Sequence, residues 1–115
     1  MSDFLIKVEK RDKGITIIRV MGYLDAYTFE SLEKTLQELF EEGRYKLVVD
    51  LDRLEYISSA GAGVFIGALG EVQEKGGNIV ILNVTDSVNQ VFETLGFHQV
   101  FLFPKDLEEA IGYYR

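Results

Sequence analysis

The sequence predicts an α/β domain: a mixed, mostly parallel sheet of about five strands with about four helices. Three observations predict it. Short apolar runs rich in β-branched residues alternate with longer segments whose apolar residues recur at helical spacing. The first two runs are joined only by Arg11-Asp12-Lys13-Gly14, a tight turn, so they form a hairpin and make the sheet mixed. The chain has 115 residues, of which 47% are hydrophobic, so it can bury one core; a single proline leaves no room for a linker or low-complexity tract.

The elements follow in order. Phe4 to Glu9 reads as the first strand and Ile15 to Met21 as its hairpin partner, with Gly22 ending it. A short loop carrying Asp25 leads to Thr28, placed to cap a helix in which Phe29, Leu32, Leu36, Leu39 and Phe40 form the buried stripe. Glu42-Gly43 closes that helix. Tyr45 to Leu51 is a buried strand. After a loop from Asp52 to Ile57, Ser58 and Ser59 precede a second helix, Ala60 to Lys75, stopped by Gly76-Gly77. Asn78 to Val84 is the next strand. Asp86 can cap a third helix with Val88, Val91, Phe92 and Leu95 on one side, and Gly96 terminates it. Gln99 to Phe103 reads as a last short strand ended by Pro104. Asp106-x-x-Glu109 resembles a capping box for a C-terminal helix. The expected order is β-β-α-β-α-β-α-β-α, within one domain spanning residues 1–115.

Charge and composition exclude several functions. The net charge is −7, and the densest basic stretch, Lys7 to Lys13, is interrupted by Glu9 and Asp12. Direct nucleic-acid binding rests on Lys and Arg meeting phosphates, so it is not expected. An acidic surface fits a basic protein partner instead. Without cysteine there is no disulfide, zinc-thiolate site or thiol catalysis. Charges break up the N-terminal MSDFLIKVEK, which does not read as a signal peptide, and no apolar run reaches membrane-spanning length. A cytoplasmic protein with no membrane partner is expected.

The informative stretch is DLDRLEYISSAGAGVFIGALG, from Asp50 to Gly70, because partners of open α/β sheets meet the strand ends where loops enter helices. Ser58 and Ser59 adjoin the helix start. One serine explains an N-cap and two leave one spare, a hydroxyl where the helix dipole and free N–H groups tolerate a phosphate. Gly63, Gly67 and Gly70 share one side of the helix, at roughly 1 kcal/mol each relative to Ala. Either the helix packs closely on the sheet there, or the glycines leave a flat surface for a partner.

The segment Leu54-Glu55-Tyr56-Ile57-Ser58-Ser59-Ala60-Gly61-Ala62-Gly63-Val64 resembles the phosphorylation loop of the anti-sigma factor antagonists, single-domain members of the STAS group (sulfate transporters and anti-sigma antagonists). Gly22-Tyr23-Leu24-Asp25-Ala26-Tyr27-Thr28 is similar to that family's Gly-x-Leu-Asp-x-x-Thr element. Gly76-Gly77, Val91-Phe92 and Leu95-Gly96-Phe97 continue the pattern, so the resemblance covers nearly the whole chain. It implies a binding protein rather than an enzyme. The unphosphorylated form would bind an anti-sigma factor, often itself a serine protein kinase, and free the sigma factor. Phosphorylation would switch it off and a serine phosphatase would restore it.

Alignment on Gly61 places the modified residue at Ser59, with Ser58 the second choice, standing where the family often has Asp. The implied partner-binding set is Asp25, Ser58, Ser59, Ala60, Gly61 and Gly63. Asp25 can equally be a turn or cap residue. Within the same fold, a scaffold or ligand-binding subunit of a stress-signalling assembly is the alternative function.

Other chemistries fit less well. A phospho-acceptor receiver domain needs an acidic pair after the first strand, which here leads into a hairpin through Glu9-Lys10; Asp50 and Asp52 are read as structural or interfacial. His98 is the sole histidine and follows Gly96-Phe97 in a turn. No nucleophile-elbow pattern surrounds the serines, Gly61-x-Gly63 does not follow a strand directly, and no Gly-Lys-Ser/Thr run is present. No cofactor and no metal are expected.

Overall fold

The computed structural model describes residues 3–115. In chain order the elements are β1 (Leu5–Lys10), β2 (Ile15–Leu24), α1 (Phe29–Glu41), β3 (Lys46–Asp50), β4 (Leu54–Ile57), α2 (Ser59–Glu74), β5 (Asn78–Leu82), α3 (Asp86–Thr94) and α4 (Leu107–Tyr113). Short 3-10 turns cover Asp12–Gly14 and Phe97–Gln99. The mixed five-stranded sheet and four helices agree with the expected class.

The long strand β2 organises the sheet. Along its length it pairs antiparallel with β1, from Leu5 opposite Met21 to Lys10 opposite Thr16. Its first half, Ile15 to Arg19, lies parallel to β3, which in turn lies parallel to β5. Its second half continues past the end of β3 and pairs in parallel with β4. Gly22 therefore does not end the strand. It bends it: the register with β4 shifts between Gly22 and Tyr23, and Gly22 sits at φ +89°. A Cβ there would lie 2.5 Å from the Asp3 carbonyl oxygen, so only glycine fits both the dihedral and the space.

Strands β3 and β5 are apolar on both faces because both faces are covered. On one side Ile18, Val20, Leu47, Val49, Ile79 and Ile81 meet the buried sides of α1, α2 and α3. On the other, Ile15, Ile17, Val48, Val80 and Leu82 meet α4 through Ala110. Asp106 starts α4 as read: its Oδ1 accepts the Glu109 N–H at 2.8 Å. The Tyr114 hydroxyl ends the chain against the sheet, 2.8 Å from the Leu47 carbonyl and 2.7 Å from that of Asn78. Burial, with a smaller contribution from Tyr113, pushes its pKa up, so it stays a donor.

Four further local expectations are corrected. Leu54–Ile57 is a strand, not a loop. Gln99 to Phe103 is not a strand beyond one bridge, Val80 to Leu102. The buried residues there are Phe97 and Phe101, four apart rather than two. Their rings, 4.7 Å apart, curl the segment, and Phe97 stacks on Phe92 at 4.1 Å. Asp86 does not cap α3. Thr85 holds that position, and Asp86 places its charge in the first turn, where the helix dipole favours it. Thr28 occupies the cap position of α1, but its hydroxyl faces the end of β2 instead.

Candidate functional site

The site forms where β2 and β4 end together and α2 begins. The Ser58 N–H donates to the Leu24 carbonyl at 3.0 Å, carrying the β2–β4 pairing one step beyond the strands. Ser58 is the N-cap of α2. Its Oγ accepts the Gly61 N–H at 3.0 Å, and its carbonyl accepts the Ala62 N–H at 2.9 Å. Ser59 is the first helical residue. It is exposed, and its hydroxyl bonds to none of the described residues. The two serines therefore divide the roles that local chemistry left open: Ser58 caps and Ser59 is spare.

Gly61 is buried, and a Cβ there would lie 2.5 Å from the Leu24 carbonyl oxygen. It holds the helix start against β2, beneath the exposed members of the expected partner-binding set. Ala60 and Gly63 are exposed. At Gly63, Gly67 and Gly70 a Cβ would meet nothing within 4 Å. Close packing on the sheet does not explain these glycines. Gly63 and Gly67 instead line an open groove of about 380 Å³ between α1 and α2, with Glu33 and Glu71 at its sides. Three exposed glycines cost α2 roughly 3 kcal/mol. Burial of Val64, Phe65 and Val72, at about 1.5–3 kcal/mol each, outweighs that.

Asp25 follows Leu24 directly, so the chain itself brings it to the α2 start. Its Oδ1 accepts the Tyr27 N–H at 2.9 Å, and its carbonyl accepts the Phe29 N–H at 2.9 Å. The Thr28 hydroxyl accepts the Asp25 N–H at 2.9 Å and donates to the Tyr23 carbonyl at 2.7 Å. Asp25 is thus a half-buried turn residue at the rim of the site.

Asp50 and Asp52 lie at the neighbouring β3–β4 turn. The Asp50 Oδ1 accepts the Asp52 N–H at 3.1 Å and the Asn83 side-chain amide at 3.0 Å, a structural role. His98 shares a hydrogen bond with the Asn89 side chain at 2.8 Å and lies against Phe103. Among the described residues no group of His, Asp and Glu side chains is arranged to hold a metal, and no helix is long and apolar enough to cross a membrane.

Sequence patterning missed the aromatic surroundings. Tyr23 and Tyr56 are cross-strand neighbours on β2 and β4, with ring centroids 5.7 Å apart, and both are half exposed. Tyr27 projects from the Asp25 turn at 95% exposure. The signal was present as three tyrosines flanking the two motifs, but reading Asp52 to Ile57 as a loop hid the pairing.

Comparison with known proteins agrees with this architecture. The family model of the STAS domain matches residues 7–110. Over 79 residues the chain is 33% identical to the anti-sigma-B factor antagonist of Staphylococcus aureus strain NCTC 8325, covering 69% of this chain and 73% of that protein. In three dimensions it is similar to an anti-sigma factor antagonist from Mycobacterium paratuberculosis, with TM-score 0.87 and 20% identity over 98% of this chain and 95% of the other. It is also similar to the phosphorylated form of SpoIIAA, a Bacillus cell fate determinant, with TM-score 0.75 and 23% identity over 96% of this chain and all of the other. At such identities the structural likenesses speak to the fold. The family match over residues 7–110 assigns the chain to the STAS domain family, and its curated relatives there are named as anti-sigma-B factor antagonists.

Proposed function

We propose that this protein is an anti-sigma factor antagonist switched at Ser59. Unphosphorylated, it binds an anti-sigma factor that is a serine kinase, and the sigma factor is freed. The kinase transfers the γ-phosphoryl group of ATP to the Ser59 Oγ, leaving ADP, and the complex separates. A serine phosphatase restores binding by hydrolysis. Asp25, Ser58, Ser59, Ala60 and Gly63 border the partner, with Gly61 setting the helix start beneath them.

One observation carries this reading. Of two adjacent serines at the α2 start, Ser58 is occupied as the cap and Ser59 is exposed, its hydroxyl bonded to none of the described residues. A phosphate on Ser59 adds about −1.5 to −2 charges. At a helix N-terminus that charge is tolerated or stabilised by about 0.3–1 kcal/mol, so the fold is spared. In a packed interface the same charge must be desolvated. A loss of about 3 kcal/mol there lowers affinity by roughly 100-fold. The charge acts on the complex and leaves the domain folded.

The test uses the anti-sigma serine kinases of the source organism, expressed one at a time. Incubation with ATP followed by mass spectrometry of the loop peptide is expected to place a phosphate on Ser59. Calorimetry is expected to show Ser59→Asp binding about 100-fold more weakly than wild type, with an unchanged melting temperature. Phosphate on Ser58 alone, or equal affinity for the two proteins, overturns the assignment.

A further inference from the structure

We propose that Tyr23, Tyr27 and Tyr56 are the anchor on which the anti-sigma factor docks, and that the docking partner presents a basic surface with a cleft for Tyr27. The inference rests on the antagonist reading above and adds the residues that supply its affinity.

Three large aromatic side chains are left in solvent at one end of the sheet. Tyr23 is 46% exposed, Tyr56 49% and Tyr27 95%. Their neighbours Leu24 and Ile57 are buried, so the Tyr23–Tyr56 pair stands on the opposite, open side of the β2–β4 extension. The pair is pre-ordered by the parallel register of its strands. Tyr27 is held out by design of the turn beneath it. The Asp25 carboxylate takes its N–H, and Thr28 ties the same turn to the Tyr23 carbonyl at 2.7 Å. Tyrosine has only two side-chain torsions to fix and an amphipathic ring, so a pre-positioned tyrosine binds at low entropic cost. Interface energy concentrates on a few such residues, Tyr among the most frequent.

Position connects this patch to the switch. Tyr56 precedes Ser59 by three residues, which bounds their Cα separation at about 11 Å. An interface of standard size covers about 800 Å² on each partner, wide enough to reach over the end of β4 from Tyr56 to Ser59. Charge indicates the partner's chemistry. Asp25 and the exposed Glu55 flank the tyrosines, and the chain as a whole carries −7. A basic partner face complements them.

The experiment is calorimetry of the full chain against the source organism's anti-sigma serine kinases. Tyr27→Ala is expected to weaken binding at least tenfold, and the Tyr23→Ala, Tyr56→Ala double variant by a similar factor. Tyr27→Phe should stay within threefold of wild type, because the ring carries the contact. Tyr27 is almost wholly exposed, so its variants fold. Affinity should fall as salt is raised from about 0.05 to 0.5 M, where screening shortens from roughly 13 to 4 Å. Wild-type binding with Tyr27→Ala within twofold of it overturns the anchor and leaves the antagonist reading standing. Salt-independent binding overturns the basic partner. Failure of the wild type to bind any of these kinases overturns the antagonist reading, and the anchor with it.

Discussion

The inner and outer sides of α2 use the same residue types for opposite purposes. Gly61 is buried because the Leu24 backbone leaves no room for a methyl group, while Gly63, Gly67 and Gly70 face open space where any methyl would fit. Ser58 is bonded through its backbone and its hydroxyl, while the Ser59 hydroxyl beside it bonds to none of the described residues. The inner side is fixed by the strand end it meets. Nothing within the described fold asks for glycine or a second serine on the outer side. What lies outward is therefore available to a partner, and what lies inward decides whether the helix start is presented at all.

The largest break in this contrast is Gly61→Ala. The new Cβ would sit 2.5 Å from the carbonyl that also accepts the Ser58 N–H, so backbone must shift. A loss of about 2–3 kcal/mol is expected in urea unfolding. A loss under about 1 kcal/mol shows that the junction of β2 and α2 yields more easily than its geometry indicates. Next comes the serine pair. Ser58→Ala removes the cap and is expected to lower stability by about 1 kcal/mol. Ser59→Ala removes no bond and should stay within about 0.5 kcal/mol of wild type. Equal effects at the two positions would erase the division of roles.

How much of this was legible beforehand differs between the two sides as well. Apolar patterning located α1 and α3, which bury a stripe against the sheet, and β3 and β5, which are apolar on both covered faces. It failed where the backbone departs from regularity. The β2–β4 pairing depends on a register shift at Gly22, which no alternation pattern encodes. Phe97 and Phe101 pack into an aromatic cluster that overrides the strand tendency of the segment they occupy. At the site, the two serines were visible but their division was not. Which one caps depends on where Leu24 places its carbonyl, a contact between residues 34 apart in sequence. The glycine stripe showed its spacing in the sequence, and only the surrounding space distinguishes packing from exposure.

The smallest effect tests the outer side alone. Gly67→Ala meets no atom and replaces a poor helix former with the best one, so it is expected to raise stability by about 0.5–1 kcal/mol. Gly63→Ala should give the same gain, because its surroundings are equally open. The two should differ in binding. Gly63 lies one helical turn from Ser59 and Gly67 two, so a partner that covers Ser59 approaches the backbone at 63 first. Calorimetry with the anti-sigma kinase should then show Gly63→Ala weakened and Gly67→Ala unchanged, although both unfold at higher urea. Equal affinities in both variants would mean that the partner stops short of the groove. The exposed glycines would then have no interface to explain them, and the contact surface would be confined to the α2 start and the tyrosines beside it.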